Sequence, residues 1–375
     1  MGRIDPDAQD FGPCALAPAA RTLGVSLEPS EGSQRDHDAP TTPGDAPGAP
    51  VSARRVPPRT LRRMVELATR APSVHNTQPW RWRGTPRSLE LYADRSRQLV
   101  AGDPDGRNLV ISCGAALHHA RVAADALGWS AAVSVLPDPD QPELLARVEL
   151  APSPPSHHAP ELLDAIGHRC TDRRRFTSWP VPEERLTHLA ALATEQGSRA
   201  LPLTDLSERF HAELLINRAI DVQHADRPVM AEQQAWIDHG SADGVPRAVL
   251  PIPDDLRARR PSRFATGLLE DIGGREIEGS DGLVVLCAPN DDVASWLAAG
   301  QALSAIWLGA TIEGLSVVPL SQVIEVPETR NAFQTEVLGG LAHPLVVIRV
   351  GWQPISRSQL PPTPRRPVAE VLELT

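Results

Sequence analysis

The sequence predicts an α+β chain built from two tandem, diverged halves, each a sheet flanked by helices. Three observations predict it. "VPPRTLRRMVELATRAPS", from Val56, returns as "VPEERLTHLAALATEQGS", from Val181, with Val-Pro, the Leu five residues on, Leu-Ala-Thr and the closing Ser in register. "CGAALHHARVAADALGWSAAV", from Cys113, returns as "AGQALSAIWLGATIEGLSVVP", from Ala299. There Gly114, Leu117, Ala124, Gly128 and Ser130 recur as Gly300, Leu303, Ala310, Gly314 and Ser316. Each member of this second pair reads as an apolar helix closed by Gly and followed by a β-prone run. Two echoes in the same order, each with fixed Gly, Pro or Ser positions, point to duplication rather than to the general likeness of Leu- and Ala-rich helices.

Taken in order, residues 1–52 are rich in Pro, Ala, Gly, Asp and Ser, and bury too little apolar surface to offset their ordering entropy. They are expected to be a disordered tail. The first half spans 53–155. It opens on a helix in which Leu61, Met64, Val65 and Ala68 follow helical spacing behind two prolines. "ELLARVEL" and "HPLVVIRVGW" read as later strands, one in each half. The second half spans 156–375, and its extra length is expected at Asp221 to Gly267. That insertion is helical through Trp236, then Pro-rich and loop-like, and a long loop of this kind in a compact domain suits a lid. Met230 and Trp236 are the large side chains it brings.

The totals exclude several function classes. A net charge of −10 and few Tyr and Phe argue against a nucleic-acid binder, which needs a basic face or a stacking platform. Cys14, Cys113, Cys170 and Cys287 are scattered without a CxxC pair, which fits neither a zinc site nor a disulfide framework and makes a reducing compartment the expectation. No apolar run is expected to reach membrane-spanning length and no signal core is visible, so a soluble, cytoplasmic protein with no membrane partner is expected.

Three stretches carry chemistry. "RAPSVHNTQPWRWR", from Arg70, crowds Pro72, Ser73, Asn76 and Gln78 before two tryptophans. Amides donate and accept, so this polar knot suits a neutral heterocycle bearing carbonyls and N–H groups. "HRCTDRRRF" sets Arg169, Arg173, Arg174 and Arg175 around Thr171, and "PTPRRP" holds Arg365 and Arg366. Arginines beside a hydroxyl suit a phosphate, although an Arg run is more often a solvated face. His75, His118, His119, His157 and His158 share no ligand spacing with Cys or carboxylates, so no metal is expected and they read as surface histidines. Neither GxGxxG after a strand nor a GxSxG elbow is present.

"APSVHNTQPWRW" resembles the flavin-contacting Ala-Pro-Ser-x-x-Asn-x-Gln-Pro-Trp motif of the nitroreductase family. "HRCTDRRRF" followed by "PVPEERL" resembles that family's amino-terminal Arg-Arg-Ser-x-Arg-x-Phe segment. "AGQALSAIWLGATIEGLSVVPLSQ" and "RVGW…PPTPRRPVAEVL" resemble its late helix and strand and its ending. The resemblance runs from about Val56 to Leu372. The motif order is unusual: the first half keeps the Pro-Ser-x-x-Asn motif, while the second keeps the Arg segment and tail and has "ATEQGSRALP" in place of Asn-x-Gln-Pro-Trp. This is similar to the fused, Acg-like branch. It implies a nitroreductase-like fold with a central antiparallel or mixed sheet in each half. The halves would form an intertwined intramolecular pseudo-dimer, a monomer resembling a dimer, with one FMN.

The resemblance also implies roles. Arg169, Thr171, Arg173, Arg365 and Arg366 would hold the FMN phosphate and ribityl end. Pro72, Ser73 and Asn76 would meet the isoalloxazine ring, and Pro319, Leu320 and Ser321 match the segment whose backbone N–H approaches N5. Thr171 stands where the family has Ser, and "CTDRRRF" carries one residue more than the ordinary pattern. No residue need be a catalytic acid or base, because flavin supplies the chemistry. The implied activity passes a hydride or electrons from NAD(P)H through FMN to a small-molecule acceptor, a nitroaromatic or quinone. The alternative is a non-catalytic protein that sequesters FMN beneath its lid.

Overall fold

The computed structural model describes residues 55–174, 176–250, 281–353 and 360–375. The expected tail at 1–52 and the part of the expected lid from 251 to 267 lie outside these residues. Helix α1 (Pro58–Ala68) starts with proline in its first turn, where no intrahelical donor is lost, and buries Leu61, Met64, Val65 and Ala68 on one face. Strands β1 (Trp80–Gly84) and β2 (Ser88–Ala93) follow, then helix α2 (Arg107–Ala126) and strands β3 (Trp129–Val135) and β4 (Leu144–Pro152). Helix α3 (Ala159–His168) leads to the second copy: α4 (Glu183–Thr194), β5 (Arg199–Pro202), α5 (Leu206–Ala225), α6 (Arg227–Ala235), β6 (Gly282–Ala288), α7 (Val293–Ile312), β7 (Leu315–Leu320), the short α8 (Gln322–Glu325) and α9 (Pro327–Ala332), and β8 (His343–Trp352). The chain closes with α10 (Val368–Val371) and β9 (Leu372–Leu374).

The two halves repeat one topology. The first sheet runs β3-β4-β2-β1 and the second β7-β8-β6-β5, and within these runs every neighbouring pair is antiparallel. Helix α1 matches α4 and α2 matches α7. The first sheet gains a fifth strand from far along the chain, because β9 lies parallel to β1 with Trp82 opposite Leu372 and Gly84 opposite Leu374. The sheet is therefore mixed, and the halves share strands.

Helices α2 and α7 cross at the centre, and the repeat explains how. A Cβ on Gly114 would stand 2.2 Å from the Leu297 carbonyl oxygen, and one on Gly300 would stand 2.0 Å from that of Ile111. Gly114 and Gly300 are repeat partners, and so are Ile111 and Leu297. Matching residues thus meet across the crossing, the reciprocity expected of two-fold packing. His118 Nδ1 and Ser304 Oγ, also partners at 186 residues apart, sit 2.8 Å from each other.

Two expectations change. The extra length of the second half begins before Asp221: the β1–β2 turn of the first half corresponds to everything between β5 and β6, including all of α5. The short turn left no periodic signal to mark where the insertion starts. One apolar run does reach membrane-spanning length, α7, with 20 residues and no Asp, Glu, Lys or Arg. It is charge-free because it is packed between helices and sheet in the core, as Trp307, Leu308 and Ala310 illustrate.

Candidate functional site

The polar knot between α1 and β1 is an unusual piece of backbone. His75, Asn76 and Gln78 all adopt positive φ, at 46°, 54° and 49°, a left-handed conformation that costs energy for residues other than glycine. Side chains hold it in place: Ser73 Oγ accepts from Gln78 N at 3.0 Å, and Ser112 Oγ of α2 accepts from Val74 N at 3.1 Å. Trp80 and Trp82, buried in β1, anchor the knot to the core.

The Arg segment follows α3, whose last carbonyls bring Arg169 into position; its own N–H donates to Ala165 O at 2.8 Å. Arg174 turns inward and grips Asp172 through Nε and Nη2, at 2.8 and 2.6 Å. Arg173 instead lines the cleft, as does Thr171. The Asp172 carboxylate thus separates the two arginines by function. The carboxy-terminal tail, on its way to β9, brings Arg365 and Arg366.

These pieces converge on a cavity of about 470 Å³. Pro72, Ser73, Asn76, Arg169, Thr171, Arg173, Arg365 and Arg366 all line it, so the fold joins eight expected positions contributed by opposite halves. Two of its cations are unsatisfied. Arg169 Nη2 donates to Arg70 O at 3.0 Å, but its Nε and Nη1 are buried and have no hydrogen-bond partner. Arg365 Nη1 donates to Asn76 Oδ1 at 3.1 Å and to Thr363 and Pro364, while its buried Nε has no partner. Among the described residues neither guanidinium pairs with a carboxylate. Burial pushes Arg169 down to about 10. Burial, together with Arg169 and Arg70 nearby, pushes Arg365 down to about 9. Uncompensated buried cations are costly, and an anion in the cavity relieves that cost. Arg366 differs, lying 3.8 Å from both Asp94 and Glu370.

Other expected positions fall elsewhere in the fold. Pro319, Leu320 and Ser321 are not among the residues lining the cavity. Leu320 ends β7, pairs opposite Val347 and packs into the second core with Val318, Val323 and Phe333, while Ser321 occupies the N-cap position of α8. Asn76 reaches the cavity with its amide already engaged: Nδ2 donates to Gly244 O at 2.9 Å and Pro364 O at 3.1 Å, and Oδ1 accepts from Arg365. His75, His118 and His119 are buried rather than superficial, and burial holds His118 down at about 3. Helix α2 is covered on nearly all sides, so it has no solvent face on which to place His118 and His119.

The sequence reading passed over several residues that build the site. Arg70, just before the knot, offers its carbonyl to both Arg169 and Arg365. Trp307 of α7 lies beneath Arg169, its ring 4.6 Å from the guanidinium carbon. The described part of the insertion folds over the knot: Gln78 Nε2 donates to Ala242 O at 2.9 Å, and Val245 and Val249 line the cavity. Arg97 fastens this cover by pairing with Asp243 and stacking over Trp236, which itself stacks on His239. Among the described residues no group of His, Cys, Asp and Glu is placed to hold a metal ion.

No family model matches the chain. A Mycobacterium tuberculosis H37Rv protein named "Putative NAD(P)H nitroreductase Rv3131" is 39% identical over 317 residues, which cover 84% of this chain and 91% of that protein. The chain belongs to the nitroreductase family. Within that family it is similar to the Acg protein of the same organism, at 31% identity over 325 residues, covering 84% of this chain and 95% of Acg. Among solved structures, an FMN-bound nitroreductase from Bacteroides fragilis matches with 13% identity and a TM-score of 0.35, covering 54% of this chain and 94% of that one. A likeness at that level carries no chemistry over to this nitroreductase-family chain.

Proposed function

We propose that the protein is an FMN-binding oxidoreductase in which the two fused halves share one flavin site, a monomer that resembles a dimer. The observation that carries this reading is the pair of buried guanidiniums, Arg169 and Arg365, beside one cavity, with unspent donors and no carboxylate partner among the described residues. A phosphate matches that donor set. Arg169, Thr171, Arg173 and Arg365 would hold the phosphate end, and Pro72 and Ser73 would border the ring. FMN, when bound, supplies the hydride and electron chemistry, taking electrons from NAD(P)H and passing them to a small acceptor such as a nitroaromatic or quinone. The protein contributes binding, orientation and exclusion of water.

A second reading has its own support. The insertion's tip, Ala242 to Val245, is hydrogen-bonded to the knot, and such a cover fits a protein that sequesters FMN. One experiment separates the two. The protein is purified, loaded with FMN, dialysed, and mixed anaerobically with NADPH or NADH while the flavin absorbance is followed. Retained flavin that bleaches within seconds supports the oxidoreductase. Retained flavin that stays yellow supports sequestration. Failure to retain FMN overturns both.

A further inference from the structure

We propose that Trp307 is a positioning residue for Arg169, and through it a determinant of the preference for a phosphorylated over an unphosphorylated flavin. This rests on the FMN reading above. Trp307 is fully buried in α7, and Arg169 lies over its ring at 4.6 Å. A guanidinium is held by its planar faces and its edges. Here the indole covers one face, and the Arg70 carbonyl takes Nη2 at 3.0 Å. Those two restraints leave Nε and Nη1 buried and unspent at the cavity that Arg169 lines. Among the described residues no carboxylate holds the side chain, so its orientation rests on the ring together with the Arg70 carbonyl. A carboxylate in that place would cancel the charge that the site needs, whereas an aromatic face orients a cation without neutralising it.

The repeat adds an independent observation. The partner of Trp307 in the first half is Arg121, which has no arginine stacked on it and donates instead to Gln196 Oε1 at 2.6 Å and Gln301 Oε1 at 2.9 Å. Before its α1 the first half has "VSARRVPP", with no stretch comparable to "HRCTDRRRF". The aromatic stands only in the half whose neighbour is the site arginine.

The test uses the full chain with Trp307→Leu and Trp307→Phe, and measures dissociation constants for FMN and for riboflavin, which lacks the phosphate. Trp307→Leu is expected to weaken FMN roughly tenfold and riboflavin less than twofold, with Trp307→Phe retaining most of the difference. A merely structural role would weaken both ligands together, so the ratio cancels any general loss of folding. If wild type prefers FMN and Trp307→Leu keeps that preference, the role of Trp307 is overturned while the FMN reading stands. If wild type binds FMN no better than riboflavin, the phosphate reading itself is overturned, and this inference with it.

Discussion

The corner of the molecule around Trp307 and the matching corner around Arg121 began from one design, and comparing them shows what turns a fold into a site. Both lie beside one of the crossing helices, and both sit near the end of a repeated helix, α1 or α4. At the first corner α1 runs into the left-handed knot, and arginines arrive from α3 and from the tail. At the second, α4 runs through Gln196 to a short strand, and Arg121 is satisfied by two amides. Strand order survived in both halves, whereas unspent charge survived in one. Packing is therefore the shared inheritance, and ligand binding rests on a few side chains that leave their donors unfilled.

The comparison can be broken most severely at the centre. Gly114→Ala or Gly300→Ala would push a methyl against a backbone carbonyl of the facing helix, and either should cost about 3 kcal/mol in urea unfolding. Gly167→Ala in α3, with nothing within 4 Å, should instead stabilise by about 0.5 kcal/mol. Equal outcomes would refute the close backbone approach at the two-fold crossing. Next, Arg169→Met or Arg365→Met should weaken FMN roughly 10- to 100-fold and leave riboflavin nearly unchanged. Arg121→Gln should alter neither, and an FMN loss there would mean that the second corner still binds.

A pH series sharpens the same contrast. Arg365 titrates at about 9 in the free site. A bound phosphate favours the charged guanidinium and so raises that value. The FMN-to-riboflavin affinity ratio should then be flat from neutral pH to about 9 and fall above it by up to about tenfold per unit. A ratio flat beyond that point would remove Arg365 from the phosphate site. The smallest effect belongs to the cover. Arg97→Gln should raise cleavage of native protein between Trp236 and Val249 several-fold, by about 1 kcal/mol of easier local opening, in a limited-proteolysis series. Unchanged cleavage would show that Arg97 does not latch it.

Much of this was legible in the sequence where chemistry and period coincide. The repeat marked α1, α4, α2 and α7, and β8 occupies the run "HPLVVIRVGW" from end to end. The knot and the two Arg segments could be paired because each resembles a flavin-site motif of the nitroreductase family. What escaped depends on neighbours distant in the chain. Asn76 bonds Gly244 across 168 positions, which no local pattern reports. The burial of His118 follows from α2 being enclosed, and Leu320 packs into a core whose other members come from α5, β6, α8 and further along the chain. The division of labour between Arg173 and Arg174 was set by Asp172, a residue with no motif of its own.

Strand β9 has a consequence for how the molecule comes into being. The knot residue Gln78 accepts from the Arg366 backbone across 288 positions, so the wall it belongs to leaves the ribosome long before its counterpart exists. Closing so large a loop is entropically expensive and slow, and it leaves the edge of β1 exposed until the tail docks. During that interval the early half is a half-built sheet in need of protection from stray strands. The cavity is thus completed last, in one late docking event, because Arg365 and Arg366 reach its wall only with the tail.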